Sequence, residues 1–219
     1  MRALRRRWWL IALLSVAAAL GMLLRRPAAI ALRGSGLDPA IPPQYRAAPS
    51  IHPELAEHTQ IFAKKIYKVG ESVYCAVGYG LANIILIEGS DGVIIIDTGE
   101  TLAQAEAVLA EFRKLTKKPV AGVVLTHHHA DHVLGTSVFV KPEDAASGRI
   151  PIFAHESLVK HYVDENGLIA ELQSIRAAHM YGSLLGPADR EGGNNGIGPY
   201  LGRGPGGFLP PNRTFADTL

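Results

Sequence analysis

Residues 125 to 135 read LTHHHADHVLG, and this run decides how the rest of the chain is read. It concentrates histidines and an aspartate in a stretch with neither helical nor strand periodicity. His127, His129, Asp131 and His132 form the spacing H-x-H-x-D-H. Imidazole nitrogens and a carboxylate are ligands suited to zinc and similar divalent ions. In an extended loop His127 and His129 point the same way and can share one ion. After a turn, Asp131 and His132 can reach a second ion a few ångströms off. Two ions so placed lower the pKa of a bridging water and polarise the oxyanion under attack. The alternative is a polar surface loop with incidental histidines, and the flanking sequence has to decide between them.

Immediately upstream, VAGVVLT reads as a buried strand, so the loop leaves a strand end. Before it, ETLAQAEAVLAEFRKLT carries apolar residues at Leu102, Ala105, Val108, Leu109 and Phe112, a helical stripe with Thr101 near its start and Pro119 beyond its end. Further back, NIILIEG and GVIIIDTG are strands joined by GSDG, a hairpin signal. Ile94, Ile95 and Ile96 are apolar on both faces of their strand, which predicts a central strand covered on both sides. QIFAKKIYKV and SVYCAVGYG are two earlier β-rich runs. The histidine loop thus follows a strand–helix–strand unit, where α/β folds expose their chemistry.

Downstream, IPIFAHE reads as a short strand and ESLVKHYVDEN as a helix interrupted by Gly167. LIAELQSIRAAHMYGSLL is helical again. From residue 182 to 211 glycine and proline dominate, too long for an ordinary turn, and such a loop is either functional or disordered.

The N-terminus is of another kind. Residues 8–24, WWLIALLSVAAALGMLL, are uncharged and almost wholly apolar, with arginines at both flanks. As a helix this run is roughly 26 Å long at about 1.5 Å per residue, just short of a bilayer core. Residues 1–33 read either as a cleaved signal peptide or as a membrane anchor, and both place the body outside the cytoplasm, periplasmic or extracytoplasmic. Residues 34–60 read as a linker and 61–219 as the folded domain, itself partial, with 182–211 its glycine- and proline-rich loop. Seven arginines precede the first acid, Asp38, which leaves fifteen basic residues against twenty acidic ones in the remainder. An acidic body with no basic stripe argues against nucleic acid as a partner. Cys75 is the only cysteine, which excludes an intramolecular disulfide and a thiolate cluster, and it reads as a small core residue.

The segments together resemble a known family. HPELAEHTQIFAKKIYKV, VGYGLANIILIEGSDGVIIIDTGET, EFRKLTKKPVAGVVLTHHHADHVLG, IPIFAHE, MYGSLL and NNGIGPYLG are similar to the N-terminal catalytic region of alkyl/aryl sulfatases, zinc-dependent hydrolases of the metallo-β-lactamase fold. The likeness runs from about His52 to Leu201 and implies an α/β fold, the N-terminal half of an αββα sandwich. It implies two Zn2+ ions held by His127, His129, Asp131 and His132, with Asp97 holding one ligating histidine from behind. Without the loop that follows, Asp97 would read better as a strand-ending turn aspartate. It maps Tyr181 and Gly182 near a sulfate-binding pocket, where the plain alternative is a tyrosine at a helix end before a helix-stopping glycine. His128 falls at a non-ligating position, and His155, His161 and His179 read as ordinary histidines. The implied substrate is a small-molecule alkyl sulfate ester and the full-length form a homodimer. Other hydrolases of the fold (lactamase, lactonase, thioesterase) remain alternatives. In the family further ligands follow later in the chain, so these 219 residues read as an incomplete domain and, in one alternative, an inactive fragment.

Overall fold

The structure, a computed structural model, describes residues 51–182 and 193–218. The chain divides into two units, Met1–Ala47 and Ala48–Leu219. The signal or anchor expected over residues 1–33 lies outside the described residues, and so does most of the linker. Among the described residues no helix is long and apolar enough to cross a membrane.

The linker expectation is corrected at its C-terminal end. Pro53–Thr59 forms helix α1, with Pro53 supplying a preset φ in the first turn and Glu54 placed where the helix dipole favours an acid. Gln60–Phe62 continues as a single 3-10 turn, so the strand expected from Gln60 begins only at Lys65. Asn194 fixes this segment by donating to the Thr59 hydroxyl at 2.8 Å.

Four strands then form an antiparallel meander: β1 (Lys65–Lys68), β2 (Val73–Val77), β3 (Ile84–Glu88) and β4 (Val93–Ile96). The GSDG turn closes with Gly89 N–H donating to the Gly92 carbonyl at 2.8 Å, and it pairs Glu88 with Val93. Helix α2 (Leu102–Leu115) crosses over to β5 (Val120–Val124), which lies parallel to β4. The helix starts where Thr101, in extended conformation, accepts from Gln104 N–H through its hydroxyl. β6 (Ile152–His155) and β7 (Arg213–Phe215) extend the sheet in parallel, giving the order β1-β2-β3-β4-β5-β6-β7.

Side-chain alternation along the strands puts Ile84 and Leu86 of β3, Val93 and Ile95 of β4, and Val123 of β5 into one core with Ala105, Val108 and Phe112 of α2. Each large side chain buried there contributes about 1.5–3 kcal/mol. Ile94 points the other way and is 41% exposed, so the expectation that this strand is covered on both faces is corrected. Its apolar run reflects two faces with different fates. Of the αββα sandwich that the resemblance implies, the described residues build one sheet and its helical layer.

Between β5 and β6 three short helices appear where the sequence shows no periodicity: α3 (Ala130–Val133), α4 (Thr136–Phe139) and α5 (Pro142–Ala146). After β6, α6 (Leu158–Val163) runs into a π-helical turn at Asp164–Leu168 and then α7 (Ala170–Met180). Gly167 therefore does not break the helix; the wider turn absorbs it. The described part of the glycine- and proline-rich stretch is a clasp across α2 and α4. Gly202 N–H donates to Glu100 at 2.7 Å, Leu102 N–H to the Pro205 carbonyl and Ser137 N–H to the Gly207 carbonyl, both at 2.9 Å. Phe208 stacks on Tyr162 with ring centres 4.4 Å apart.

Candidate metal centre

β4 and β5 are parallel and end together, so Asp97 and Thr126 emerge side by side at their C-terminal edge. That edge is where an open α/β sheet offers its crevice. Asp97 has φ 57, the only positive φ among the described non-glycine residues, and it is buried. Such a conformation costs about 1–3 kcal/mol and persists only where surrounding bonds impose it. The bonds are present. Asp97 Oδ1 accepts from the Thr126 amide at 2.8 Å, and Oδ2 accepts from the Thr126 hydroxyl at 2.8 Å and from His132 Nδ1 at 2.7 Å.

The bond to Nδ1 fixes the ring of His132 and leaves Nε2 as its other nitrogen, 3.4 Å from Asp131 Oδ2. The backbone of His132 is held as well, because its carbonyl accepts from both the amide and the hydroxyl of Thr98, at 2.8 and 3.0 Å. On the other side of the loop, His127 Nδ1 lies 3.0 Å from the Thr126 hydroxyl, and His127 Nε2 faces His129 Nδ1 at 3.0 Å. The rings of His127 and His132 are 4.0 Å apart. The geometry thus gathers His127, His129, Asp131, His132 and Asp97 into one cluster. Within it His127 stands with His129, and Asp131 with His132.

Charge follows from this packing. Burial pushes the His127 imidazolium pKa down, and the neighbouring His132 and His129 push the same way against Asp97 and Asp131. Burial also acts to lower His132, but the hydrogen bond its Nδ1–H donates to Asp97 and the charges of Asp97 and Asp131 outweigh it, so its pKa is raised.

The donor set fits a divalent ion. Two imidazole nitrogens facing each other at 3.0 Å have to share a single proton, yet that spacing is close to the ~3.3 Å between neighbouring ligands of a tetrahedral ion with bonds of about 2.0–2.1 Å. Asp131 adds a hard oxygen and His132 a held imidazole, the N/O mixture that suits zinc and related ions.

The remaining expected residues stand apart. Tyr181 ends α7, its amide donating to the Ala177 carbonyl at 2.9 Å, and Gly182 turns the chain with φ 63. No hydrogen bond or ion pair joins either to the histidine loop among the described residues. His155 spends both ring nitrogens, on the Ser157 hydroxyl at 2.8 Å and on the Ala216 carbonyl at 2.9 Å. His179 is exposed on α7. The sequence reading missed Glu165, whose carboxylate reaches His128 at 2.9 Å and His129 at 3.6 Å. It lies more than thirty residues downstream on an ordinary-looking helical run, and no spacing rule connects it to the loop.

The sequence pattern of the metallo-beta-lactamase superfamily matches residues 77–211. The chain belongs to the metallo-beta-lactamase superfamily. Within that superfamily it is 39% identical over 134 residues to the linear primary-alkylsulfatase of Pseudomonas sp. (strain ATCC 19151), covering 61% of this chain and 25% of that protein. It is 32% identical over 170 residues to the alkyl/aryl-sulfatase BDS1 of Saccharomyces cerevisiae (strain ATCC 204508 / S288c), covering 77% and 26%. Among solved structures, the stereoselective inverting sec-alkylsulfatase Pisa1 from Pseudomonas sp. superimposes with a TM-score of 0.66 at 25% identity, covering 74% of this chain and 25% of that one. The chain spans about a quarter of the length of the curated relatives it matches. The α/β metallo-beta-lactamase fold expected from the loop and its flanks is the fold found.

Proposed function

We propose that the protein is a zinc-dependent hydrolase of alkyl sulfate esters. The observation that carries this reading is the convergence of His127, His129, Asp131 and His132 at the C-terminal edge of β4 and β5, in a chain 39% identical to a linear primary-alkylsulfatase. His127 and His129 would hold one Zn2+, Asp131 and His132 a second. Bound there, zinc supplies a Lewis acid and lowers the pKa of coordinated water. The chain's own part is positional. Asp97 holds Nδ1 of His132, so that Nε2 is the nitrogen offered to an ion, and Thr98 fixes the backbone behind it. Tyr181 and Gly182 would take part in sulfate binding, a role that rests on the resemblance of MYGSLL alone.

The same reading includes a homodimeric full-length form and an extracytoplasmic location. The second is supported by the apolar, arginine-flanked run at residues 8–24, as signal or anchor. The test is sulfate release from dodecyl sulfate by the full-length protein, with and without chelator. Release that the chelator abolishes and added zinc restores is expected; absence of any metal-dependent release overturns the reading.

A further inference from the structure

The histidine that the motif spacing leaves out is the one with a carboxylate against it. His128 Nε2 lies 2.9 Å from Glu165 Oε2, and His129 Nε2 lies 3.6 Å from the same oxygen. One donor atom from each of the three residues falls within 4.8 Å of the others. Neighbouring ligands on a four-coordinate ion with bonds of about 2.0–2.2 Å are ~3.3 Å apart, a value between the two observed distances. The carboxylate is also aimed. Glu165 Oε1 accepts from Gln173 Nε2 at 3.0 Å, which turns Oε2 toward the histidines, as hydrogen bonds behind metal ligands commonly do. Glu165 owes its place to the π-helical turn Asp164–Leu168, a rare conformation concentrated at functional sites. His161 lies beside His128 with ring centres 5.3 Å apart.

We propose that His128, His129 and Glu165 form a second divalent-cation site, which shares His129 with the H-x-H-x-D-H set and takes its other two ligands from outside it. Two imidazoles and one carboxylate select a borderline ion of the zinc, cobalt or nickel class, and three protein ligands leave one position for water. The two sites meet at His129 through opposite nitrogens, since Nδ1 faces His127 and Nε2 faces Glu165. A neutral imidazole has one nitrogen lone pair to give. An ion bound through Nε2 therefore leaves the proton on Nδ1, facing His127, and withdraws His129 from the motif. The Glu165 site is a competitor for a motif ligand.

The site requires no turnover, so its test is independent of sulfate release. Cobalt(II) is titrated into the metal-free protein by calorimetry, with circular dichroism confirming the fold of each variant. His128→Ala and Glu165→Gln are each expected to weaken one cobalt equivalent by more than about tenfold, while Asp131→Asn retains it. Glu165→His, which removes the carboxylate and keeps a ligating atom, is expected to restore binding that a merely structural ion pair would not. The proposal is overturned if His128→Ala or Glu165→Gln titrates like the unaltered protein. It is also overturned if Asp131→Asn abolishes the same equivalent, which would merge this site into the motif.

Discussion

Asp97 Oδ2 lies 2.7 Å from His132 Nδ1, and the same carboxylate holds the Thr126 amide and hydroxyl. One buried side chain thereby ties the end of β4, the end of β5 and the ring of His132. Asp97→Ala leaves these donors unpaired at about 1–3 kcal/mol, and alanine is tolerated at the positive φ less well than aspartate. Zinc affinity should fall by about 10–100-fold, because the freed imidazole no longer presents Nε2. Calorimetric zinc titration beside a thermal melt separates the two effects, and unchanged affinity would remove Asp97 from the metal centre.

The neighbouring imidazoles of His127 and His132 differ in proton affinity. In chelator-treated protein His132 should titrate above the ordinary imidazole value and His127 below it, as read from ring-proton NMR. Because the pKa of His132 is raised on folding, the stability it contributes is fully present below its unfolded value and is lost as pH rises through its folded value. Asp97→Asn should bring the His132 titration down. A His127 that titrates above His132 would refute this electrostatic arrangement.

Gly135, the last residue of the histidine run, is needed for space. A Cβ built on it would come 1.9 Å from the Thr98 carbonyl oxygen and 2.6 Å from Ala105 Cβ. Its backbone amide donates to the Gly99 carbonyl at 3.1 Å, so it cannot simply withdraw. Gly135→Ala should cost about 1–3 kcal/mol, the usual penalty for overpacking. Denaturant unfolding measures it, and a loss below about 0.5 kcal/mol would show that the loop shifts freely.

Thr101 begins α2 by accepting the Gln104 amide at 3.1 Å. Thr101→Ala should destabilise by about 1 kcal/mol, and Thr101→Ser should recover most of that. Equal melting temperatures for all three proteins would mean that the cap is replaced by water or by the clasp from Pro205.

What could be read in advance follows a physical division. Helix α2 lies where its 3.6-residue stripe put it, and β3, β4, β5 and β6 lie where short apolar runs bounded by turn residues put them. The metal motif was legible because its donors are neighbours in sequence. Helices α3 to α5 were not, since each is only four or five residues long and too short to show a period. Glu165 was hidden for the opposite reason: its relation to His128 exists only after α6 and the π-helical turn fold back over the loop. The exposure of Ile94 was likewise invisible, because three consecutive isoleucines look alike whichever faces are covered.

The strand order β1-β2-β3-β4-β5-β6-β7 repeats the order of synthesis. As the chain leaves the ribosome, every new strand finds its partner already present, and none must wait for a segment still to be made. Synthesis adds roughly 5–20 residues per second, whereas a hairpin closes in about 1–10 µs. The meander β1–β4 can therefore be sampled once it has emerged and before the later strands follow it, and Asp97 reaches the sheet edge ahead of the histidines it will receive. Vectorial growth gives this metal loop a finished platform to land on.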